Sequence, residues 1–115
     1  MRLIVAGSRG YTNRKRVYSL LNKIHIEYPE LEIVSGMAKG PDMFAHDWAI
    51  ANGVDVHKFY ADWDKYQKRA GFIRNEEMAH FGDACLAFWD GTSKGTKMMI
   101  KIMNESYKPI SVVRD

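Results

Sequence analysis

The sequence has a single cysteine, Cys85, among its 115 residues, so no disulfide can form within the chain. A lone cysteine fits a reducing compartment. No apolar run approaches the length that crosses a membrane, and the N-terminus lacks the layout of a signal peptide. From these absences we expect a cytoplasmic protein with no membrane partner.

Excess charge and internal divisions are also missing. The formal net charge is +3 and the sequence pI is near 9.0, which permits an anionic ligand without requiring nucleic acid. No linker, low-complexity tract or repeat divides the chain, and 46% of its residues are hydrophobic. Length and composition therefore predict a single domain over residues 1–115.

Short apolar runs alternate with segments of helical period. Residues 3–6 form a continuous apolar run, which is typical of a strand buried on both faces. Further strands are predicted at residues 31–34, 54–59, 84–89 and 109–113, and helices at residues 13–26, 41–52, 71–81 and 95–106. The alternation predicts an α/β protein with a Rossmann-like three-layer αβα fold and a mainly parallel five-stranded sheet.

Residues 60–70 are polar and aromatic without a clear period, which predicts a long loop. Asp62 and Trp63 lie in this segment. Its aromatic side chains would either stack on a ligand base or pack on the core as a lid, and the sequence leaves both interpretations open.

Three loops that follow predicted strands combine glycines, hydroxyl groups and charged residues. Because the predicted strands are parallel, the loops that follow them lie at the same edge of the sheet. In open parallel sheets, ligands bind outside this edge, at the carboxyl ends of the strands. One such loop is explained by a tight turn, whereas three together favour a phosphate or carboxylate site built on backbone amides and helix N-termini. The residues are Gly7, Ser8 and Arg9, then Ser35, Gly36, Lys39, Gly40 and Asp42, then Asp90, Gly91, Ser93, Gly95 and Thr96.

Other common sites lack support in the sequence. No loop matches the dinucleotide fingerprint G-x-G-x-x-G or the P-loop, and the histidines have no metal-ligand spacing. Cys85 lies within a predicted strand and is interpreted as a buried apolar side chain. We therefore predict no metal and no cofactor.

Arg74 is the strongest single candidate for an anion ligand. It shares a helical face with Met78 and Phe81, so it should lie at the helix start beside the sheet edge. An ion pair with Asp62 or Asp64 is the alternative. The basic run of residues 14–16, by contrast, is better interpreted as a solvated face.

The ordered set of motifs resembles the YspA-like branch of the SLOG superfamily over nearly the whole chain. The residues that carry this resemblance are Gly7-Ser8-Arg9, the segment from Ser35 to Asp42, Ala61-Asp62-Trp63, Arg74-Asn75 with Met78, and Phe88-Trp89-Asp90-Gly91 with Ser93, Gly95 and Thr96. The superfamily includes lysine-decarboxylase-like LOG proteins, DprA-type DNA-processing proteins and sensors of nucleotide-derived signals. The resemblance implies a Rossmann-like fold and a nucleotide-type ligand, and places Arg74 and Asn75 among the ligand-binding residues.

The chain departs from the LOG enzymes, which split the N-glycosidic bond of nucleoside monophosphates. Their signature is P-G-G-x-G-T-x-x-E. Gly95 and Thr96 match its G-T pair, but residues 91–93 replace P-G-G, and Met99 stands in place of the glutamate. The missing carboxylate weakens the case for LOG-type hydrolysis.

Three functions follow as hypotheses. The first is binding of a nucleoside phosphate or ADP-ribose-type ligand, as a sensor or processing module. The second is N-glycoside hydrolysis or transfer, for which Asp90 is the best-placed catalytic carboxylate, although it would equally serve as a turn cap. The third is DprA-like binding of single-stranded DNA, which the small basic surface disfavours, so nucleic acid is not the expected partner. SLOG relatives often pair through helices, so we also expect a homo-oligomer, with the Met-rich last helix as one candidate surface.

Overall fold

The computed structural model describes residues 1–115 and contains five strands and five helices. The strands are β1 (Arg2–Gly7), β2 (Glu32–Ser35), β3 (Val56–Lys58), β4 (Ala84–Phe88) and β5 (Ile110–Val113). The helices are α1 (Arg14–Glu27), α2 (Pro41–Ala51), α3 (Trp63–Tyr66), α4 (Ala70–Phe81) and α5 (Lys94–Glu105), with a 3₁₀ turn at Gln67–Arg69. None of the helices has the length and apolar character needed to span a membrane.

The five strands form one sheet in the order β3-β2-β1-β4-β5, and every neighbouring pair is parallel. The central strand is β1, the run that the sequence marks as apolar throughout. Side chains alternate between the two faces of a strand, so both faces of β1 must be covered. Leu3 and Val5 belong to one buried cluster and Ile4 and Ala6 to the other. The predicted αβα layering is confirmed.

Each face of the sheet is covered by a different pair of helices. Helices α1 and α2 contribute Val17, Leu21 and Trp48 to one core, and all three are buried. Helices α4 and α5 contribute residues to the other core, including the fully buried Met99 and Met103. The sequence favours either the core or a subunit surface for these methionines, and the structure places both in the core, where the chain's own sheet covers them.

The segment at residues 60–70 is where the sequence prediction fails. It is not a continuous loop, since α3 and the 3₁₀ turn fill most of it. Asp62 caps α3 by accepting a hydrogen bond from the backbone amide of Lys65 at 3.1 Å. A single helical turn is too short to show the 3.6-residue period on which the prediction depends. Strand β3 is also shorter than predicted, at three residues.

The strand order creates a topological switch point. The chain runs from β1 outward to β2 and β3, then returns to place β4 on the other side of β1. The loops that leave β1 and β4 therefore diverge to opposite faces and leave a crevice at their carboxyl ends, which is the usual ligand position in open α/β sheets.

Candidate functional site

A cleft of about 510 Å³ lies at this crevice, and we call it the switch-point cleft. Its walls come from the loop after β1, the starts of α2 and α4, and the loop that leads from β4 into α5. The residues that line it are Ala6, Gly7, Ser8, Arg9, Gly10, Ala38, Asp42, Trp63, Gly71, Phe72, Arg74, Asn75, Met78, Asp90, Ser93, Gly95, Thr96, Met98 and Met99.

Most of the residues that the sequence singles out meet in this cleft. All three strand-end loops contribute at least one side chain or backbone segment, as does the start of α4. The predicted residues that line the cleft are Gly7, Ser8, Arg9, Asp42, Trp63, Arg74, Asn75, Asp90, Ser93, Gly95 and Thr96. The predicted residues outside it are Ser35, Gly36, Lys39, Gly40, Asp62 and Gly91.

Arg74 enters the cleft from the first turns of α4. Its Nη1 donates a hydrogen bond to the carbonyl of Gly36 at 3.0 Å, and its Nε donates to Oδ1 of Asn75 at 3.3 Å. Burial lowers the pKa of the guanidinium, and the nearby Asp42 opposes that shift. The alternative that the sequence leaves open, an ion pair of Arg74 with Asp62 or Asp64, is not formed. Arg74 lines the cleft instead. A guanidinium has five N–H donors, so some remain available to an anion.

Asp42 is a buried carboxylate at the start of α2, with only 4% of its surface exposed. Its Oδ2 accepts one long hydrogen bond, from the backbone amide of Ala38 at 3.4 Å. Burial raises the pKa of this carboxyl to about 6, although Arg74 and the Ala38 amide act in the opposite direction. Asp42 is thus a carboxyl group near half-ionisation at weakly acidic pH, inside a cleft that also holds an arginine.

Asn75 joins α4 to the start of α5. It is buried, and its Nδ2 donates to the carbonyl of Gly95 at 3.4 Å. Ser93 caps α5, because its Oγ accepts from the amide of Thr96 and lies 3.2 Å from the hydroxyl of that residue. Helix α5 has no acidic residue in its first turn. Its N-terminus therefore keeps the partial positive charge that favours an anion.

Asp90 serves the turn that leads into α5. Its Oδ1 accepts from the backbone amides of Ser93 and Thr92, each at 2.8 Å, and these hydrogen bonds lower the pKa of the carboxyl. Ser8 is buried, and its hydroxyl accepts from the backbone amide of Asp90 at 3.1 Å. Ser8 thereby ties the loop after β1 to the loop after β4. Of the two roles that the sequence leaves open for Asp90, the turn cap is present.

The predicted residues outside the cleft have other roles, mainly in the loops that form its walls. The Ser35 hydroxyl donates to the backbone carbonyl of Asp42 at 2.9 Å and accepts from the amide of Met37. Lys39 is exposed, and Asp62 is occupied as the cap of α3. Gly40 and Gly91 have positive φ angles of 94° and 88°, which suit glycine in tight turns.

Two aromatic side chains stand at the rim of the cleft. Trp63 is 53% exposed and Phe72 is 44% exposed, so part of each side chain is open to solvent beside the cleft. The sequence marks Trp63 but misses Phe72 and Met98. The position of Phe72 in the first turn of a helix that begins at the ligand edge of the sheet is the signal that would have identified it.

The C-terminal residues brace the loops from outside the cleft, which the sequence does not reveal. Asp115 forms an ion pair with Arg16, with 3.2 Å between Oδ1 and Nε, and its Oδ2 accepts a hydrogen bond from Asn13 Nδ2 at 3.4 Å. The Arg114 guanidinium lies 5.5 Å from the ring centroid of Trp89 and packs beside Gly91. Arg16 is therefore engaged in holding the chain terminus.

A comparison with protein families finds that residues 1–66 match the model of the YspA, cpYpsA-related SLOG family, YAcAr. The Gene 61 protein of Mycobacterium phage D29 is 35% identical over 118 residues, which cover 95% of this chain and 93% of that protein.

Two solved structures share the fold. DNA processing protein A from Streptococcus pneumoniae superposes with a TM-score of 0.82 at 20% identity, over 96% of this chain and 49% of that one. The Helicobacter pylori protein, whose structure concerns its single-stranded DNA binding mode, gives a TM-score of 0.78 at 16% identity, over 97% of this chain and 64% of that one. This chain thus spans about half of the first protein and less than two thirds of the second, and the likeness confirms the Rossmann-like fold.

Proposed function

Because this chain belongs to the YspA, cpYpsA-related SLOG family, we propose that it binds a nucleotide or nucleotide-derived small molecule in the switch-point cleft. The ligand class is a nucleoside phosphate or an ADP-ribose relative, and the domain over residues 1–115 acts as a sensor or ligand-processing module. The observation that carries the proposal is the Arg74 guanidinium. It is held in the cleft by hydrogen bonds to Gly36 and Asn75, and its remaining N–H groups can bind an anion.

The charges and amides around the cleft support a phosphate. Arg9 and Arg74 supply two full positive charges, and the N-terminus of α5 adds a partial one. Gly95 has open space around its α-carbon, so a phosphate oxygen can approach its backbone. These groups favour an anion at the α5 side of the cleft.

The rim supports a planar base. Trp63 and Phe72 lie on the same cleft as the arginines and expose a large share of their rings. Stacking of a base on an aromatic ring contributes about 1–3 kcal/mol and tolerates different bases. The combination of a phosphate site and a stacking rim is the chemistry of a nucleotide rather than of a simple phosphorylated metabolite.

Proton NMR of the purified chain with a ligand panel tests the proposal. The panel contains nucleoside mono- and diphosphates, deoxynucleotides, NAD and ADP-ribose, and line broadening reports binding. We expect at least one member to bind, with affinity weakened about tenfold or more in Arg74→Ala, because a hydrogen bond to a charged group is lost. Lys23→Ala, which removes an exposed charge on α1, is the matched control and should bind as the parent does. Absence of binding by every member would overturn the proposal.

Asp42 favours a second candidate, N-glycoside hydrolysis. A carboxyl with a pKa of about 6 is suited to proton transfer near neutral pH. In this reaction the bond between C1′ and the base breaks, and water supplies hydroxide to C1′ and a proton to the leaving base. The sequence names Asp90 for this role, but its Oδ1 is occupied by the turn and its pKa is lowered.

Release of free base in the same NMR experiment distinguishes this enzyme from a sensor. If Asp42 is the reacting carboxylate, Asp42→Asn abolishes base release while Asp90→Asn retains it. The reverse result would assign the reaction to Asp90. Binding of the panel without release of any base would exclude hydrolysis of those compounds.

Single-stranded DNA binding remains the third candidate, since the Helicobacter pylori structure describes that activity for its own protein. The basic run that would serve it is partly engaged, because Arg14 lies over Phe44 and Arg16 contacts Asp115. Fluorescence anisotropy with labelled oligothymidylate tests it. Binding that falls steeply between about 50 and 200 mM salt would support this function.

A further inference from the structure

We propose that the Asp42 carboxylate accepts hydrogen bonds from ribose hydroxyls, so that the switch-point cleft selects ribonucleotides over 2′-deoxyribonucleotides. This inference rests on the proposed function and names the sugar that the site takes. It assigns to Asp42 a role in specificity, separate from phosphate binding by the arginines.

Asp42 has more acceptor capacity than the protein uses. An ionised carboxylate accepts about four hydrogen bonds, and a buried one needs them because it is removed from water. Asp42 is 4% exposed and borders the cleft, yet the carboxylate is contacted only by two backbone amides, that of Ala38 at 3.4 Å and its own. No arginine or lysine nitrogen lies within 4.0 Å of it as an ion pair. A ligand that complements this carboxylate brings hydrogen-bond donors.

The two helices that begin at the cleft differ in what they attract. Helix α2 begins with Pro41, which has no N–H, and carries the Asp42 carboxylate in its first turn. Helix α5 begins with Ser93 as its cap and has no acid in its first turn, and the Asp90 carboxylate before it is already hydrogen-bonded to the Thr92 and Ser93 amides. A phosphate is therefore repelled from the α2 side and attracted to the α5 side. The ligand is held with its anionic end towards α5 and its hydroxyl groups towards α2.

A hydrogen-bonded chain connects these two sides. The carbonyl of Gly36, beside Asp42, accepts from Arg74, and Arg74 in turn donates to Asn75. Asn75 donates to the carbonyl of Gly95 at the start of α5. Arg74 thus lies between the Asp42 carboxylate and the N-terminus of α5. A single ligand bound to Arg74 can therefore contact both the carboxylate and the helix N-terminus.

The order of groups in a nucleotide matches the order of groups in the cleft. The sugar of a nucleotide lies between phosphate and base, and the aromatic residues that would stack on a base, Trp63 and Phe72, are exposed at the rim. The buried Asp42 therefore faces the sugar rather than the base. The two neighbouring hydroxyl groups of a ribose can each donate a hydrogen bond to a carboxylate. Acidic residues bind ribose hydroxyls in this way in other Rossmann-like sites.

Paired sugars isolate the effect of the 2′-hydroxyl. Dissociation constants are measured by NMR titration for ribose 5-phosphate and 2-deoxyribose 5-phosphate, and for the matching ribo- and deoxyribonucleoside 5′-monophosphates. In the parent chain we expect the ribo form to bind about tenfold or more tightly, the effect of one hydrogen bond to a charged group. In Asp42→Asn and Asp42→Ser the preference should fall to about threefold or less. Asp64→Asn, which changes an exposed carboxylate outside the cleft, should keep the full preference.

The outcomes distinguish a failure of ribose selection from a failure of the proposed nucleotide binding. Equal binding of ribo and deoxyribo forms by the parent chain overturns the ribose assignment and leaves nucleotide binding intact. An undiminished preference in folded Asp42→Asn and Asp42→Ser overturns the role of Asp42. Failure of every compound to bind removes the proposed function, and the inference with it. Circular dichroism of each variant establishes that it is folded.

Discussion

Asp42 and Arg74 approach each other across the backbone of Gly36. A β-carbon built on Gly36 would lie 2.9 Å from Asp42 Oδ2 and 3.1 Å from Arg74 Nε, so both atoms border the same small space. The two charges attract each other without forming an ion pair, and Arg74 donates its hydrogen bond to the Gly36 carbonyl instead. Under the proposed function, both groups are therefore open to a ligand.

The first prediction concerns the stability cost of Asp42. The folded-state pKa of about 6 exceeds the ordinary value of 3.8, so the folded chain binds the proton more tightly than the unfolded chain does. Stability therefore falls as pH rises from about 4 to 6, and the full cost is present above that window. Arg74, Arg9 and Cys85 are the titratable groups facing it, and the two arginines reduce the cost.

Asp42→Asn removes this ionisation, so it should stabilise the chain at about pH 7.5 by up to about 3 kcal/mol and change little at about pH 4. Urea unfolding at both pH values measures the difference. Asp90→Asn is the control of opposite sign, because hydrogen bonds lower the pKa of Asp90 and stabilise its ionised form. A stability loss in Asp42→Asn at about pH 7.5 would contradict this account of the buried carboxyl.

The second prediction concerns the close packing at the end of β1, around Gly7. A β-carbon on Gly7 would lie 2.5 Å from Pro41 Cγ and 2.7 Å from the carbonyl oxygen of Phe88. Neither a proline ring nor a strand carbonyl moves easily, so Gly7→Ala should cost about 1–3 kcal/mol in the free energy of unfolding.

Gly10→Ala is the matched control, because a β-carbon there meets nothing within 4 Å. It should leave the free energy of unfolding unchanged or raise it slightly, by about 0.4–1 kcal/mol, through the unfolded state. Urea midpoints of both variants provide the comparison. Equal losses in the two variants would show that the packing around Gly7 is not the cause.

The third prediction concerns the aromatic rim. Trp63→Ala and Phe72→Ala should each weaken binding of a nucleotide by about fivefold or more, because a stacking surface is lost. Both residues are about half exposed, so each substitution should cost less stability than the loss of a buried aromatic residue. Tyr107→Ala removes an aromatic ring that is 97% exposed and outside the cleft, and it should leave the affinity unchanged. Titrations that give all three variants the parental affinity would exclude base stacking at the rim.

The sequence predicts the layers of the fold because the strongest signals are local. The unbroken apolar run at residues 3–6 predicts a strand buried on both faces, and the glycine-rich loops that follow the strands predict the ligand edge. The helix at Trp63–Tyr66 escapes prediction because one turn has no period to detect. The brace between Asn13 and Asp115 escapes it because these residues are 102 positions apart in the chain.

The site residues also divide into those with a local sequence signal and those whose role depends on distant contacts. Arg74 is identified from its place at a helix start, and the structure sets it in the cleft. For Asp42, the sequence gives a polar residue in a loop. Its burial, which raises its pKa, comes from tertiary packing that the sequence does not show, and Arg74 and the Ala38 amide only reduce that rise. For Asp90, the sequence leaves two roles open, and the separation between them comes from the direction in which the side chain points.

The most direct test of the central claim is a ¹H–¹⁵N NMR titration of the parent chain and Arg74→Ala with nucleoside 5′-monophosphates. The account predicts shifts that concentrate on the amides of residues 7–10 and 90–96 in the parent chain and are largely lost in the variant. Shifts confined to other surfaces, or identical shifts in the two proteins, would contradict the assignment of the switch-point cleft as the nucleotide site.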